Sequence, residues 1–505
     1  MAKAGWFWSA TAGGILAVGL LAVVSAGAQM PGSNGDPIRL NPANPHYFQF
    51  RGKTIALVTS GEHYGGVINR GVDYKRYLAT LAAEGMNETR LFAGSYVEVP
   101  GKSFGIERND LAPAPGDFVA PWARSSTPGY AGGGNKFDLD QWNPEYFDRL
   151  HGFLAEASRL GIVVEISLFS SQYGEAQWAL SPFNAENNVN HLELSDRKKV
   201  NTRENGAILR YQESYVRKAV AAVSGFDNVI FEIQNEPWSD RPVAAGIINP
   251  YLFPPGRDLF PNSVDVADAA SVEWQTAVAG WITSEETSLG HRHLIAQCYA
   301  NFRLPVAALI PGVSIVNFHY AYPEAAMWND GLGAAIAYDE TGFLGHDAAV
   351  YRRQAWNFML SGGGIFDSLD YSFTPGHEDG ADTAPNGPGG GSPALRRQLH
   401  ILSAFLEALP LEHMRPDAES VVHAGAAVAH ELSWPGHTYA FYLDGDGPVD
   451  LTLALPAGHY TGEWIDVVTG EALAHAEFDS TGSAARLHSP AFEGGIALRL
   501  DARGK

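Results

Sequence analysis

The chain has 505 residues, 45% of them apolar and 11% aromatic, and a formal net charge of -22. That length allows a large barrel plus an accessory domain, and the apolar content argues against a disordered chain. The acidic balance argues against nucleic acid or an anionic membrane surface as a partner, since both would be repelled, and leaves neutral ligands such as sugar rings.

The chain opens with Lys3, an apolar run from Gly13 to Val24 and the small triplet Ala26-Gly27-Ala28 before Gln29. These features read as a signal peptide over residues 1–28, so the expected location is secreted or periplasmic. The competing reading is an uncleaved anchor, because Trp6, Phe7 and Trp8 lengthen the apolar stretch. No later run is long enough for a bilayer, so no integral span is expected after cleavage.

From residue 36 short β-rich runs alternate with longer helical patterns, the signature of βα units around a parallel sheet. Strands are expected at 54–60, 88–93, 162–169, 228–234, 293–298, 313–318, 334–339 and 364–370. Helices are expected at 73–84, 143–160, 203–223, 270–288, 347–360 and 394–408, with only weak helical patterns after the fifth and sixth strands. In the clearest helix Asn143 caps, Pro144 takes the first position, Gly161 ends it, and Phe147, Leu150, Leu154 and Ala157 share one face. Eight such units make an α/β fold, a (β/α)8 TIM barrel over residues 36–411 with its active site at the carboxyl ends of the strands. An open doubly wound sheet would bring a glycine-rich phosphate loop after its first strand, and Gly61-Glu62-His63-Tyr64-Gly65-Gly66 lacks that spacing.

Long loops follow strands two, four and eight, and all leave the catalytic face. Cys298, the one cysteine, reads as a small buried hydrophobe because no base lies near it in the sequence. Past Leu411 the pattern changes to short runs at 439–443, 449–455, 460–467 and 496–500 separated by turn signals. Residues 412–505 are therefore expected to form a small antiparallel β-sandwich, with bracing of the barrel as its simplest role.

The chemistry lies at two strand ends. Strand four ends in Gln234-Asn235-Glu236-Pro237-Trp238, and strand seven in Asp339-Glu340-Thr341. Two carboxylates at one barrel mouth supply what glycoside cleavage needs: one protonates the departing oxygen, the other attacks or stabilises the cationic ring carbon.

Asn235-Glu236-Pro237 with Glu340 resembles the cellulase-like clan of retaining glycoside hydrolases, a likeness that extends to Asn87-Glu88-Thr89-Arg90-Leu91 and Asn317-Phe318-His319-Tyr320. The resemblance implies that Glu236 is general acid and then base, and that Glu340 is the nucleophile of a covalent glycosyl-enzyme on a poly- or oligosaccharide. It implies that Asn235 binds the sugar 2-hydroxyl and that Arg90 keeps Glu340 ionised, while the charge on Glu340 raises the pKa of Glu236. Retention predicts carboxyl groups about 5–5.5 Å apart. His319, Tyr320, Tyr322, Trp238 and His63 are expected around the sugar, and Tyr96, Trp178, Trp328, Phe343 and Tyr371 are further aromatic residues near strand ends.

The chain departs from the clan's pattern in three places. Ala321 stands where the clan has its strand-six tyrosine, so either Tyr320 or Tyr322 substitutes. Strand three ends in Ser167-Leu168-Phe169 without a histidine, and strand eight in Asp370-Tyr371 without a tryptophan, which argues against a cellulose-type substrate. The competing functions are a metal-dependent barrel hydrolase and a non-catalytic carbohydrate-binding barrel. The first wants paired histidines, and His291-Arg292-His293 enters strand five at the wrong end, so no metal and no cofactor are expected. Asp444 and Asp446 read as a hairpin turn rather than a calcium site.

Overall fold

A computed structural model describes residues 35–247, 263–383, 386–416 and 419–503. The signal peptide expected over residues 1–28 lies outside the described residues, as does the middle of the loop after the fourth strand. Among the described residues no helix is long and apolar enough to cross a membrane.

Eight parallel strands make the barrel: β1 (Leu57–Gly61), β2 (Glu88–Phe92), β3 (Val163–Ser170), β4 (Val229–Asn235), β5 (Leu294–Asn301), β6 (Ile315–His319), β7 (Ala335–Glu340) and β8 (Ile365–Leu369). They neighbour one another in the order β1-β8-β7-β6-β5-β4-β3-β2. A side chain bridges the remaining seam between β1 and β2. Asn87 accepts from the Val58 amide at 2.8 Å and donates to the Ala56 carbonyl at 2.9 Å, replacing backbone bonds of a ladder.

Around the strands lie α1 (Tyr74–Ala83), α2 (Pro144–Leu160), α3 (Ile208–Val223), α4 (Ala269–Leu289), the five-residue α5 (Pro323–Met327), α6 (Ala348–Met359) and α7 (Pro393–Glu407). α2 begins and ends on its expected signals: Asn143 accepts from the Glu145 amide, and Gly161 closes the helix at φ 80°. The weak helical patterns have a physical outcome. No helix is described between β5 and β6, and α5 is short.

Strand ends shift by up to three residues from expectation, and the shift at the start of β1 has a structural cause. Residues 53–55 do not continue into β1 but pair with Phe48–Phe50 and, through it, Arg39–Leu40 in a small antiparallel sheet. That sheet plugs the amino-terminal end of the barrel. Ile38, Phe48 and Phe50 pack on Leu57, Val163, Ile230, Ile315 and Ile365 at the strands' starting ends.

After α7 the chain builds the sandwich. A six-stranded antiparallel sheet contains Val428–Trp434, Thr438–Asp444, Ile496–Arg503, Gly458–Asp466 and Ala472–Ser480, with Arg415–Pro416 at its edge. A three-stranded sheet of Val421–His423, Asp450–Ala454 and Ala484–His488 covers one face. The other face rests on the barrel: Tyr442 stacks on Trp356 of α6 at 5.3 Å, and Asp444 accepts from Arg353 at 2.7 Å and Asn357 at 2.9 Å.

Candidate active site

The carboxyl ends of the strands converge on one narrow cavity, about 340 Å³ with its open mouth included, whose lining includes Asn235, Glu236, Tyr320 and Glu340. β4 ends at Asn235, and the next residue, Glu236, turns into the left-handed region at φ 43° before Pro237. Tyr64, Phe104, Tyr173 and Tyr320 also line the cavity with positive φ. Such backbone is disfavoured for side-chain-bearing residues and persists where surrounding packing enforces it, as at binding sites.

The two glutamates share partners. Glu340 accepts from Tyr320 at 2.8 Å on one oxygen and from Tyr64 at 2.9 Å on the other. Glu236 accepts from His319 Nδ1 at 3.0 Å and Tyr320 at 3.3 Å on Oε1, and from Tyr173 at 2.9 Å and Ser239 at 3.2 Å on Oε2. A carboxylate oxygen of Glu236, a nitrogen of His319 and a carboxylate oxygen of Glu340 lie within 4.8 Å of one another.

Arg90 lies beneath, its side chain fully buried. Its guanidinium meets Glu232, Asp339 at 3.3 Å and Glu340 at 3.4 Å, donates to Asn235 Oδ1 at 2.7 Å, and sits 4.8 Å from the Tyr64 ring centroid. Asn235 in turn donates to Tyr173 at 2.7 Å. Arg90 thus ties the strand carrying Glu340 to the residue preceding Glu236, and it places a fixed positive charge beside Glu340.

No protein-family model matches the sequence, and no curated protein does. Solved structures do match. A candidate glycoside hydrolase from Bacteroides vulgatus aligns with a TM-score of 0.61 at 13% identity, over 93% of this chain and 83% of its own. A second structure, described only as a glycoside hydrolase, gives 0.59 at 13% identity, over 94% and 99% of the two chains. A glycoside hydrolase family 5 protein, also from Bacteroides vulgatus, gives 0.58 at 12% identity over 94% and 95%. The chain has the fold of these glycoside hydrolases.

Of the residues singled out in the sequence, Glu236, Glu340, Asn235, Arg90, His319, Tyr320 and His63 come together at this mouth. Arg90 and His319 lie just beneath the cavity lining, and two others stand away from it. Tyr322 caps α5 and packs against Phe302 at 6.1 Å and Arg303 at 5.3 Å, so Tyr320 holds the hydroxyl position that the sequence left open. Trp238 is buried behind the site, edge-on to His319 at 5.6 Å. Among the further aromatics Tyr96 and Phe343 line the cavity, Tyr371 stands behind His63 at 6.1 Å, and Trp328 is exposed. Glu62 serves its own turn, accepting from the Gly65 and Gly66 amides at 2.8 Å, whereas its neighbour His63 reaches the cavity. Sequence reasoning missed Tyr64, Tyr173, Glu98 and Phe104. Of these, Tyr64 was the most accessible, since it follows β1 within a segment already suspected.

Electrostatics correct one expectation. Burial pushes the Glu236 carboxyl up, but the hydrogen bond and charge of His319, with the Tyr173 and Ser239 hydroxyls, outweigh burial and hold it below the ordinary carboxyl value. His319 is pulled down by burial, yet the charge of Glu340 and the hydrogen bond of Asp339 raise it well above the ordinary histidine value. The free site therefore keeps the proton on His319, not on Glu236. Cys298 is buried as expected, but β5 and β6 are paired neighbours, and this brings the thiol 3.2 Å from His319 Nε2, a partner distant in sequence. Burial pushes that thiol up to about 12, so it faces the histidine as a neutral group.

The Glu236, His319 and Glu340 set has the donor types and spacing to hold a divalent cation. Two resident positive charges compete for that role: the guanidinium 3.4 Å from Glu340 and the proton on His319.

Proposed function

We propose that this protein is a retaining glycoside hydrolase acting on a poly- or oligosaccharide, with Glu340 as nucleophile and Glu236 as acid and then base. One observation carries the reading: oxygens of two carboxylates, from β4 and β7, approach within 4.8 Å across one cavity. That spacing belongs with the roughly 5–5.5 Å of retaining pairs and not the roughly 6.5–9.5 Å that leaves room for water in inverting ones.

In the first step Glu340 attacks the anomeric carbon as the glycosidic C–O bond breaks. The bonding pair stays with the departing oxygen, which takes a proton from Glu236. In the second step water attacks the same carbon and gives a proton to Glu236, and the ester bond to Glu340 breaks. Tyr320 and Tyr64 hold the nucleophile's two oxygens apart from the acid, and Arg90 supports its charge. His319, 3.0 Å from Glu236, supplies the proton that Glu236 passes on. Export rests on Lys3, the run from Gly13 to Val24 and Ala26-Gly27-Ala28 alone.

The test is turnover of a panel of aryl glycosides. Glu340→Gln is expected to lower kcat by about 10³-fold or more, and Glu236→Gln by about 10²–10⁴-fold, with ligand binding retained. Unchanged turnover in either variant would remove the assigned role.

A further inference from the structure

Strands β4 and β8 stand four places apart in a ring of eight, so Glu236 faces the β8 side across the barrel mouth. The acid must stand beside the departing oxygen. The leaving group therefore occupies the Glu236 side, and the non-reducing side of the bound sugar faces β8, β1 and β2.

That side is walled. His63, leaving β1, lines the cavity; behind it the Tyr371 ring, following β8, stacks at 6.1 Å, and Phe343 meets the same tyrosine edge-on at 6.3 Å. Glu98, from the loop after β2, bonds His63 Nε2 at 3.2 Å and is held from its other oxygen by Asn109.

The loops after β2 and β8 are latched to each other over this wall. The Glu107 amide donates to the Asn386 carbonyl at 2.8 Å, the Arg108 amide donates to the Asn386 side chain at 2.5 Å, and the Arg108 guanidinium pairs with Asp382 at 2.6 Å. The strap fits without space to spare. A Cβ on Gly389 would lie 1.4 Å from the Gly342 carbonyl oxygen, and one on Gly387 would lie 3.0 Å from the Tyr371 ring.

We infer that the cavity is a blind pocket for one terminal, uncharged sugar, so that the enzyme removes single residues from the non-reducing end of its substrate instead of cutting within chains. The inference rests on the glycosidase reading above and adds the direction and size of the substrate. Even counted out to its open mouth the cavity holds only about 340 Å³ of free space, which leaves room for no more than one ring with its aglycone outside. His63 Nδ1 is buried and has no hydrogen-bond partner among the described residues, which fits a donor waiting for a sugar hydroxyl. Burial lowers the His63 pKa, but the charge and hydrogen bond of Glu98 outweigh it and keep the ring protonated more readily than usual. Among the described residues lining the cavity there is no lysine or arginine, whereas Glu98, Glu236 and Glu340 are present, so a terminal uronate would meet repulsion.

The experiment uses the full chain in two stages. Turnover of an aryl glycoside by the parent, lost in Glu340→Gln, establishes glycosidase action; its absence across the panel overturns that reading, and this inference with it. The responsive sugar is then offered as an oligosaccharide labelled at the reducing end, with and without a cyclic acetal blocking its terminal hydroxyls. Release of monosaccharide only, from the unlabelled end, with loss of cleavage on blocking, is expected. Internal fragments, cleavage of the blocked chain, or preference for an aryl uronide overturns the pocket while leaving the glycosidase standing. The double variant Arg108→Ala and Asn386→Ala removes every side-chain bond of the latch, and it is expected to restore cleavage of the blocked chain; continued loss in that variant would overturn the latch as the cause.

Discussion

His319 Nδ1 stands 3.0 Å from Glu236, and its Nε2 meets Cys298 at 3.2 Å and Asp339 at 3.6 Å, so one imidazole joins the acid to the buried charges below. Its pKa lies well above the ordinary histidine value, held there against burial by Glu340 and Asp339, and that of Glu236 lies below the ordinary carboxyl value. The pair loses its proton only when pH rises through the raised histidine value, and that loss is expected to set the basic limb of kcat/KM. In His319→Asn the proton resides on Glu236 alone, a carboxyl without an imidazole behind it. The basic limb is expected to move to lower pH, with kcat/KM falling by about 10²–10⁴-fold for poor leaving groups and less for nitrophenyl groups that depart unaided. A limb that stays in place in the variant would remove His319 from the proton path. Glu236, Glu340, Asn235 and Arg90 were legible in the sequence because each sits on or one step beyond a strand. Tyr64 and Tyr173 were not, because at φ of 61° and 56° the backbone leaves the alternation that sequence reading relies on.

Inside the barrel the strands present a layer of acids that the alternation of apolar runs conceals. Glu88 of β2, Glu165 of β3 and Asp367 of β8 are buried, and each has an oxygen without a hydrogen-bond partner among the described residues. Burial, reinforced by the neighbouring carboxylates, pushes all three well above the ordinary carboxyl values. The folded chain therefore keeps protons that the unfolded chain releases near pH 4. Stability from these groups is fully present below that pH and declines as pH rises toward the folded values. Glu165→Gln, which keeps a partner for Asn317 now at 2.8 Å, is expected to flatten this decline. Denaturant midpoints of parent and variant at pH 5 and pH 8 measure it; equal slopes would mean that Glu165 is ionised in the fold. The strands themselves were readable as eight β-rich runs, with β1 misplaced at its start. Ile55 pairs with Phe48 in the plug, and no local pattern distinguishes a residue paired in one sheet from its neighbour two positions on in another.

At the scale of the molecule, barrel and sandwich share a core. In Thr438–Asp444 successive residues face opposite ways: Tyr439, Phe441 and Leu443 point into the sandwich, and Ala440 and Tyr442 pack with the barrel's buried cluster. This explains why residues 439–443 form an unbroken apolar run instead of the alternation of a half-exposed strand. The run marked a strand in the sequence but could not say what lay on its second face. That face was set by Trp356 of α6, more than 80 residues earlier, stacking on Tyr442 at 5.3 Å. Asp444, read from the sequence as part of a hairpin turn, ends that strand and adds bonds to Arg353 and Asn357. Two layers joined through a buried aromatic stack and ion pair unfold together, because separating them exposes apolar surface on both. Tyr442→Ala is expected to cost about 3 kcal/mol. It would lower the midpoint of a single calorimetric transition while leaving kcat/KM near the parent value, since the substitution lies far from Glu236 and Glu340. A sandwich that melts separately, with the barrel transition unmoved, would show that the sheet is only appended.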